Sequence, residues 1–238
     1  MFYKLSNTCD LKTIENEFDA NFRFPNLYEP KVIISGTEES NLSIITAQDS
    51  KRIDYAIWGL LPEDYDDDWD RFQSVTNTLN TNVDDLNLSE EIYSKSLDER
   101  RCLIIVNGFF TSNIYKGKLY PFHVHLKNHK PFCIAGIYNK LNDGFLTCSL
   151  LVTNFSSNLN EIPHLGKQRP LTFRQSDFEE WLSKDKSKAD LERLIHNHNA
   201  PDFISHPIKE DFYKNNSVFE DILESDNYSH ILKNLHRS

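Results

Sequence analysis

The chain predicts an α+β fold, and three observations lead there. Short apolar, β-branched runs follow one another closely between residues 31 and 153. Helical periodicity is clearest before residue 20 and after residue 174. Strands therefore dominate the first two thirds and helices the last third, instead of alternating as in a doubly wound sheet.

Each element has a local reason. In "LKTIENEFDA", residues 11 to 20, Leu11, Ile14 and Phe18 share one helical face, with Asp10 as cap. "KVIIS" from 31, "LSIITA" from 42 and "YAIWGLL" from 55 read as strands. "DYDDDWD" from 64 reads as an acidic, solvated loop, and residues 88 to 98 as a short helix. "RCLIIV", "YPFHVHL", "PFCIAGIY" and "FLTCSLLVTN" give four more strands. In "RRCLIIVNGFFTS", Asn107-Gly108 breaks the apolar run, so the strand is expected to stop there and turn, with Thr111 in the exposed turn. In "YPFHVHL", His123 and His125 alternate with apolar residues, so one strand face is expected to be wet. Ser176 with Glu179 predicts a capping box before "FEEWL". Residues 186 to 197 and 227 to 236 read as helices, and the chain after about Asp211 as polar and peripheral.

Bulk properties narrow the function. With 238 residues the chain can bury a sizeable core. A formal charge of -10 argues against a protein that coats nucleic acid with its whole surface, though not against a local basic groove. Cys9, Cys102, Cys133 and Cys148 form no CxxC pair, and no hydrophobic run follows Met1. Free buried thiols in a reducing, cytoplasmic setting are expected, with no membrane span.

Motif searches return little. The acidic loop fails as a calcium loop: counted from Asp64, Trp69 and Val75 fall where glycine and a bidentate glutamate are needed. His123 and His125 could ligate a metal, but no third ligand lies at a telling spacing, so no metal is expected. His196 and His198 point different ways on a helix. Nucleophile-elbow, P-loop and dinucleotide fingerprints are absent.

The order of several segments says more. "WGLLP" at 58, "NTLNTNVDD" at 77, "RRCLIIVNGFF" at 100, "YPFHVHL" at 120, "FCIAGIY" at 132, "SLLVTNFSSNLNEIPHLGKQRPLTF" at 149 and "SHPI" at 205 together resemble the SOS-response-associated peptidase (SRAP) family. The resemblance spans residues 1 to about 210 and leaves 211–238 as a polar, partly helical extension. It implies a strand-rich, barrel-like core with flanking helices. It also implies a DNA-damage function, in which the family recognises abasic sites in single-stranded DNA. There, an N-terminal Cys uses its amine and thiol to capture the sugar aldehyde as a thiazolidine. A Glu after "GF" serves as acid/base, and a His assists proton transfer. An Asn lines the pocket, and Arg residues hold phosphates.

Carried onto this chain, the nucleophile position holds Phe2 and the acid/base position Thr111, both inactive for that chemistry. The family Asn is Asn80 and the family His is His164; the next Arg becomes Asn82 and its Glu Asp84. Lys4 replaces the N-terminal Arg, and Arg169 matches the later one. Losing the acid/base costs roughly 10²- to 10⁴-fold, whereas losing the nucleophile removes the covalent route altogether. Pocket roles and plain structural roles both stay open for Asn80 and His164; Trp58 and Phe109 are expected in the core.

Three functions follow. The first is a non-catalytic SRAP relative, monomeric and cofactor-free, that binds single-stranded or abasic-site DNA through Lys4, Arg100, Arg101, Lys116, Lys118, Lys167, Arg169 and Arg174. The second is a protein-interaction module that has left DNA. The third is a residual lyase or peptidase using the Met1 amine and His164.

Overall fold

The computed structural model describes residues 3–87, 91–154, 162–166, 168–198, 200–213 and 222–226. Met1, Phe2, Lys167 and the helix expected at 227 to 236 lie outside them. In chain order the elements are β1 (Lys4–Asn7), α1 (Leu11–Phe18), β2 (Asn21–Phe22), β3 (Lys31–Ser35), β4 (Asn41–Thr46), β5 (Asp49–Trp58), α2 (Trp69–Val75), β6 (Asn80–Asn82), α3 (Glu91–Glu99), β7 (Arg101–Val106), β8 (Gly108–Tyr115), β9 (Lys118–Leu126), β10 (Phe132–Lys140), β11 (Leu146–Thr153), β12 (Arg169–Pro170), β13 (Thr172–Phe173), α4 (Phe178–Leu182), α5 (Lys188–Asn197) and β14 (Phe203–Pro207).

Strands β11, β10, β7, β4 and β5 run side by side, and a short parallel pairing of β5 with β11 closes them into a ring. The ring is barrel-like without being a full barrel. A second sheet, ordered β14-β9-β8-β1-β3, lies beside it.

Strand β7 is buried along its whole length, on both faces, which is why "RCLIIV" is apolar without alternation. Ile104 and Val106 pack in one cluster with Trp58, Ile134 and Leu150 and with Leu5, Phe109 and Val124 of the second sheet. Leu103 and Ile105 pack in another, against Ile14 of α1, Leu97 of α3, Trp181 of α4 and Leu191 of α5. Each fully buried side chain of this size contributes about 1.5–3 kcal/mol. Cys102, Cys133 and Cys148 are buried free thiols within these clusters, and Cys9 is half-buried. Among the described residues no helix is long and apolar enough to cross a membrane.

Local signals explain several boundaries. Asp10 caps α1 by accepting from the Thr13 amide at 3.0 Å. Gly59 ends β5 at φ 121, a left-handed backbone, and a Cβ there would sit 2.7 Å from Trp69 Nε1. The acidic stretch is not all loop, because Asp68 caps α2 through the Asp70 amide at 2.8 Å.

Other expectations need correction. The chain does not turn out to solvent after Gly108. Asn107 makes a bend tied to β1, donating its amide to the Ser6 carbonyl at 2.9 Å, and β8 starts at once. The Ser176 capping box does not form, because residues Gln175–Asp177 make a 3-10 turn ahead of α4. The capping box that exists joins Ser187 to Asp190 at the start of α5. The chain past Asp211 is not simply peripheral: Phe212 and Ile222 are buried against Phe110 and Ile208.

Candidate functional site

The C-terminal end of β11 gathers most of the expected residues. β6 runs parallel to it, with Asn80 opposite Leu150 and Asn82 opposite Val152. β12 pairs antiparallel with the same stretch, placing Arg169 opposite Thr153. Asn80, Asn82 and Arg169 therefore come from strands that share one neighbour. The Asn82 side chain accepts from the Asp84 amide at 3.2 Å and shapes the turn after β6.

His164 is half-buried close to Arg169. Burial, and then the Arg169 charge, push its pKa down to about 4, so the ring is neutral at pH 7. It can accept or relay a proton but carries no charge for a phosphate. Arg169 donates from Nη1 to the carbonyls of Gly166 at 2.7 Å and Gln168 at 3.2 Å, which orients the guanidinium.

Thr111 belongs to the second sheet. It is in the middle of β8, opposite Phe122, and only 2% exposed. Lys4 is on β1, its ammonium 5.2 Å from the Phe212 ring centroid. Phe2 lies outside the described residues. The sheet pairings thus unite Asn80, Asn82 and Arg169, with His164 beside Arg169, and leave Thr111 and Lys4 on the second sheet.

The expected basic set is largely engaged by the protein itself. Arg101 is fully buried and donates to the carbonyls of Trp181, Leu97, Asp98 and Ser183 at 2.5–2.8 Å. Arg100 pairs with Glu63 at 2.5 Å, Lys118 with Glu210 at 2.5 Å and Arg174 with Asp202 at 3.5 Å. Arg101 is therefore structural, because its charge serves the C-terminal carbonyls of α3 and α4.

The face expected to be wet is dry. His123 and His125 are buried on β9, and His206 of the neighbouring strand β14 joins them, with one ring nitrogen of each within 4.8 Å of the others. These three residues could hold a metal, and His206 is the ligand that spacing along the chain did not reveal. A cleft of about 880 Å³, lined in part by Arg23, Tyr28, Asp54 and Tyr138, contains none of the expected site residues.

The barrel-like ring and its added sheet form a strand-rich α+β architecture, with Asn80 and Arg169 on short strands that flank β11. The chain belongs to the SOS response associated peptidase (SRAP) family, whose model matches residues 1–215. Abasic site processing protein YoqW of Bacillus subtilis is 24% identical over 215 residues, covering 84% of this chain and 92% of the relative. Abasic site processing protein YMR114C of Saccharomyces cerevisiae is 22% identical over 158 residues, covering 66% of this chain. The matched region spans only 42% of that longer relative. A crystal structure of a Bacteroides thetaiotaomicron protein has a TM-score of 0.80 at 19% identity, covering 94% of this chain and 100% of its own. A Bordetella bronchiseptica structure has a TM-score of 0.70 at 14% identity, covering 87% and 99%. These likenesses carry the fold.

Proposed function

We propose that this chain acts in the DNA-damage response as a non-catalytic SRAP protein, holding single-stranded or abasic-site DNA without a covalent bond. The observation that carries this reading is the pair of residues at the family's reacting positions. Phe2 has no nucleophile, and Thr111 sits mid-strand where it offers no carboxylate. Cys9 does not substitute, since a thiazolidine needs amine and thiol on the same residue. At the β11 edge, Arg169 supplies charge for a phosphate, and Asn80 and neutral His164 supply hydrogen bonds to sugar or base. The protein is cofactor-free and monomeric in this reading.

The test is binding of an abasic oligonucleotide followed by denaturing electrophoresis. Salt-dependent binding with no denaturant-resistant adduct is expected. A stable adduct without added reductant overturns the non-catalytic reading. Trapping by borohydride alone points instead to a Schiff base at the Met1 amine, with His164 as proton shuttle.

A second reading, a protein-interaction module, draws on the neutralised basic set. With Arg100, Lys118 and Arg174 paired to acids and a net charge of -10, little long-range attraction for DNA remains. Absence of binding at low salt selects it.

A further inference from the structure

We propose that His123 Nδ1, His125 Nε2 and His206 Nδ1 form a binding site for a divalent first-row transition-metal ion of the zinc class.

The hydrogen bonds of these rings fix where their lone pairs point. His125 Nδ1 lies 2.8 Å from the Leu126 carbonyl, and His206 Nε2 lies 2.7 Å from the Leu223 carbonyl. A carbonyl oxygen only accepts, so each of these nitrogens carries the proton. In the neutral rings the other nitrogens are bare. Those two, His125 Nε2 and His206 Nδ1, face each other at 3.2 Å. Two lone pairs at that distance repel unless something positive sits between them.

His123 supplies a third donor. Its Nε2 is 2.9 Å from Ser6 Oγ, and its buried Nδ1 has no hydrogen-bond partner. The residue is 5% exposed, so water does not readily serve it. One shared proton would satisfy the His125–His206 pair and leave His123 Nδ1 orphaned. A single metal ion answers all three nitrogens.

The distances suit that ion. Zinc binds imidazole nitrogen at about 2.0–2.1 Å, so tetrahedral ligand atoms stand roughly 3.3 Å apart. The His125–His206 separation already matches, and each of the three residues has a ring nitrogen within 4.8 Å of the others. Neutral imidazoles suit zinc, copper, nickel or iron better than calcium or magnesium. Three ligands leave a position for water.

The surroundings hold the rings as metal sites do, with the distal nitrogens on Ser6 Oγ and two carbonyls. His129 stacks on His125 at 4.3 Å, and Phe110 lies 5.0 Å from His123. Gly108 makes room, for a Cβ there would come within 2.1 Å of His123 Nε2.

The experiment uses the full chain, stripped with a chelator and titrated with Co(II) and then Zn(II). One Co(II) per chain is expected, with the intense visible bands of four-coordinate cobalt, displaced by one Zn(II). At a hundredfold excess of Zn(II) over its Kd, Tm should rise by about 5–10 °C. His206→Ala should weaken uptake by about 100-fold or more, and His196→Ala, at an exposed position of α5, should leave it unchanged. Should His206→Ala fail to fold, His206→Gln takes its place, and the titration of the unaltered chain decides alone. No saturable one-to-one uptake, or equal uptake by the His206 variant, overturns the proposal.

Discussion

Arg101 and Trp181 clasp each other across two elements. Arg101 Nε donates to the Trp181 carbonyl at 2.7 Å, while Trp181 Nε1 donates to the Cys102 carbonyl at 2.9 Å. The guanidinium also lies 5.9 Å from the indole centroid. Together they bolt α4 onto the ring. Arg101→Ala should cost about 3–5 kcal/mol, because it strands buried carbonyls, and lower Tm by roughly 10 °C. Below that temperature its affinity for DNA should match the unaltered protein, which separates a structural arginine from a DNA-facing one.

Arg169→Ala should show the opposite pattern. Folding should be little changed, while the slope of log K against log salt for single-stranded DNA falls by about 0.7. An unchanged slope, measured by fluorescence anisotropy, would remove Arg169 from the DNA face.

Phe2→Cys restores a thiol beside what becomes the terminal amine once Met1 is cleaved. An adduct with abasic DNA that survives denaturant is expected from this variant and not from the parent. Thr111→Glu should instead destabilise by about 2 kcal/mol, since it buries a carboxylate opposite Phe122. Denaturing electrophoresis reads the first and urea unfolding the second.

Acid should weaken the fold through His164. Its folded pKa of about 4 lies below the ordinary 6.5, so its contribution is intact above pH 6.5 and is lost as pH falls through 4. The full loss is roughly 3 kcal/mol. Urea midpoints between pH 7.5 and 4 should drop less steeply in His164→Gln.

Gly108→Ala should destabilise by about 1–3 kcal/mol, because the new methyl meets the His123 ring and Ser6 Oγ at 2.1 and 2.6 Å. Thermal unfolding checks it. Gly117→Ala is a poor control, since its strain comes from φ 75 with open space around it.

Legibility in the sequence followed the range of the forces involved. The Asp10 cap and the strands at β7, β10 and β11 were readable because caps and apolar runs act locally. Asn107-Gly108 misled because its bend is fixed from outside, by Thr8, whose amide and hydroxyl bond the Asn107 side chain at 3.2 and 2.6 Å. His206 was hidden because it lies 81 residues from His125. The pairing of Arg100, Lys118 and Arg174 with Glu63, Glu210 and Asp202 is invisible before folding. Family resemblance supplied the positions of Asn80, Thr111 and His164, which no spacing rule would have chosen.

The ring has one thin joint. Among the described residues, β5 pairs with β11 at Ile57–Thr147 and Trp58–Cys148, helped by the Leu61 amide donating to Thr147 Oγ1 across 86 residues of chain. Bringing such distant segments together carries a large loop-closure entropy before any contact rewards it. The chain should therefore assemble as an open curl whose zip fastens last. Amide exchange at Gly59, which donates to the Cys148 carbonyl at 2.8 Å, is where that late fastening would be felt.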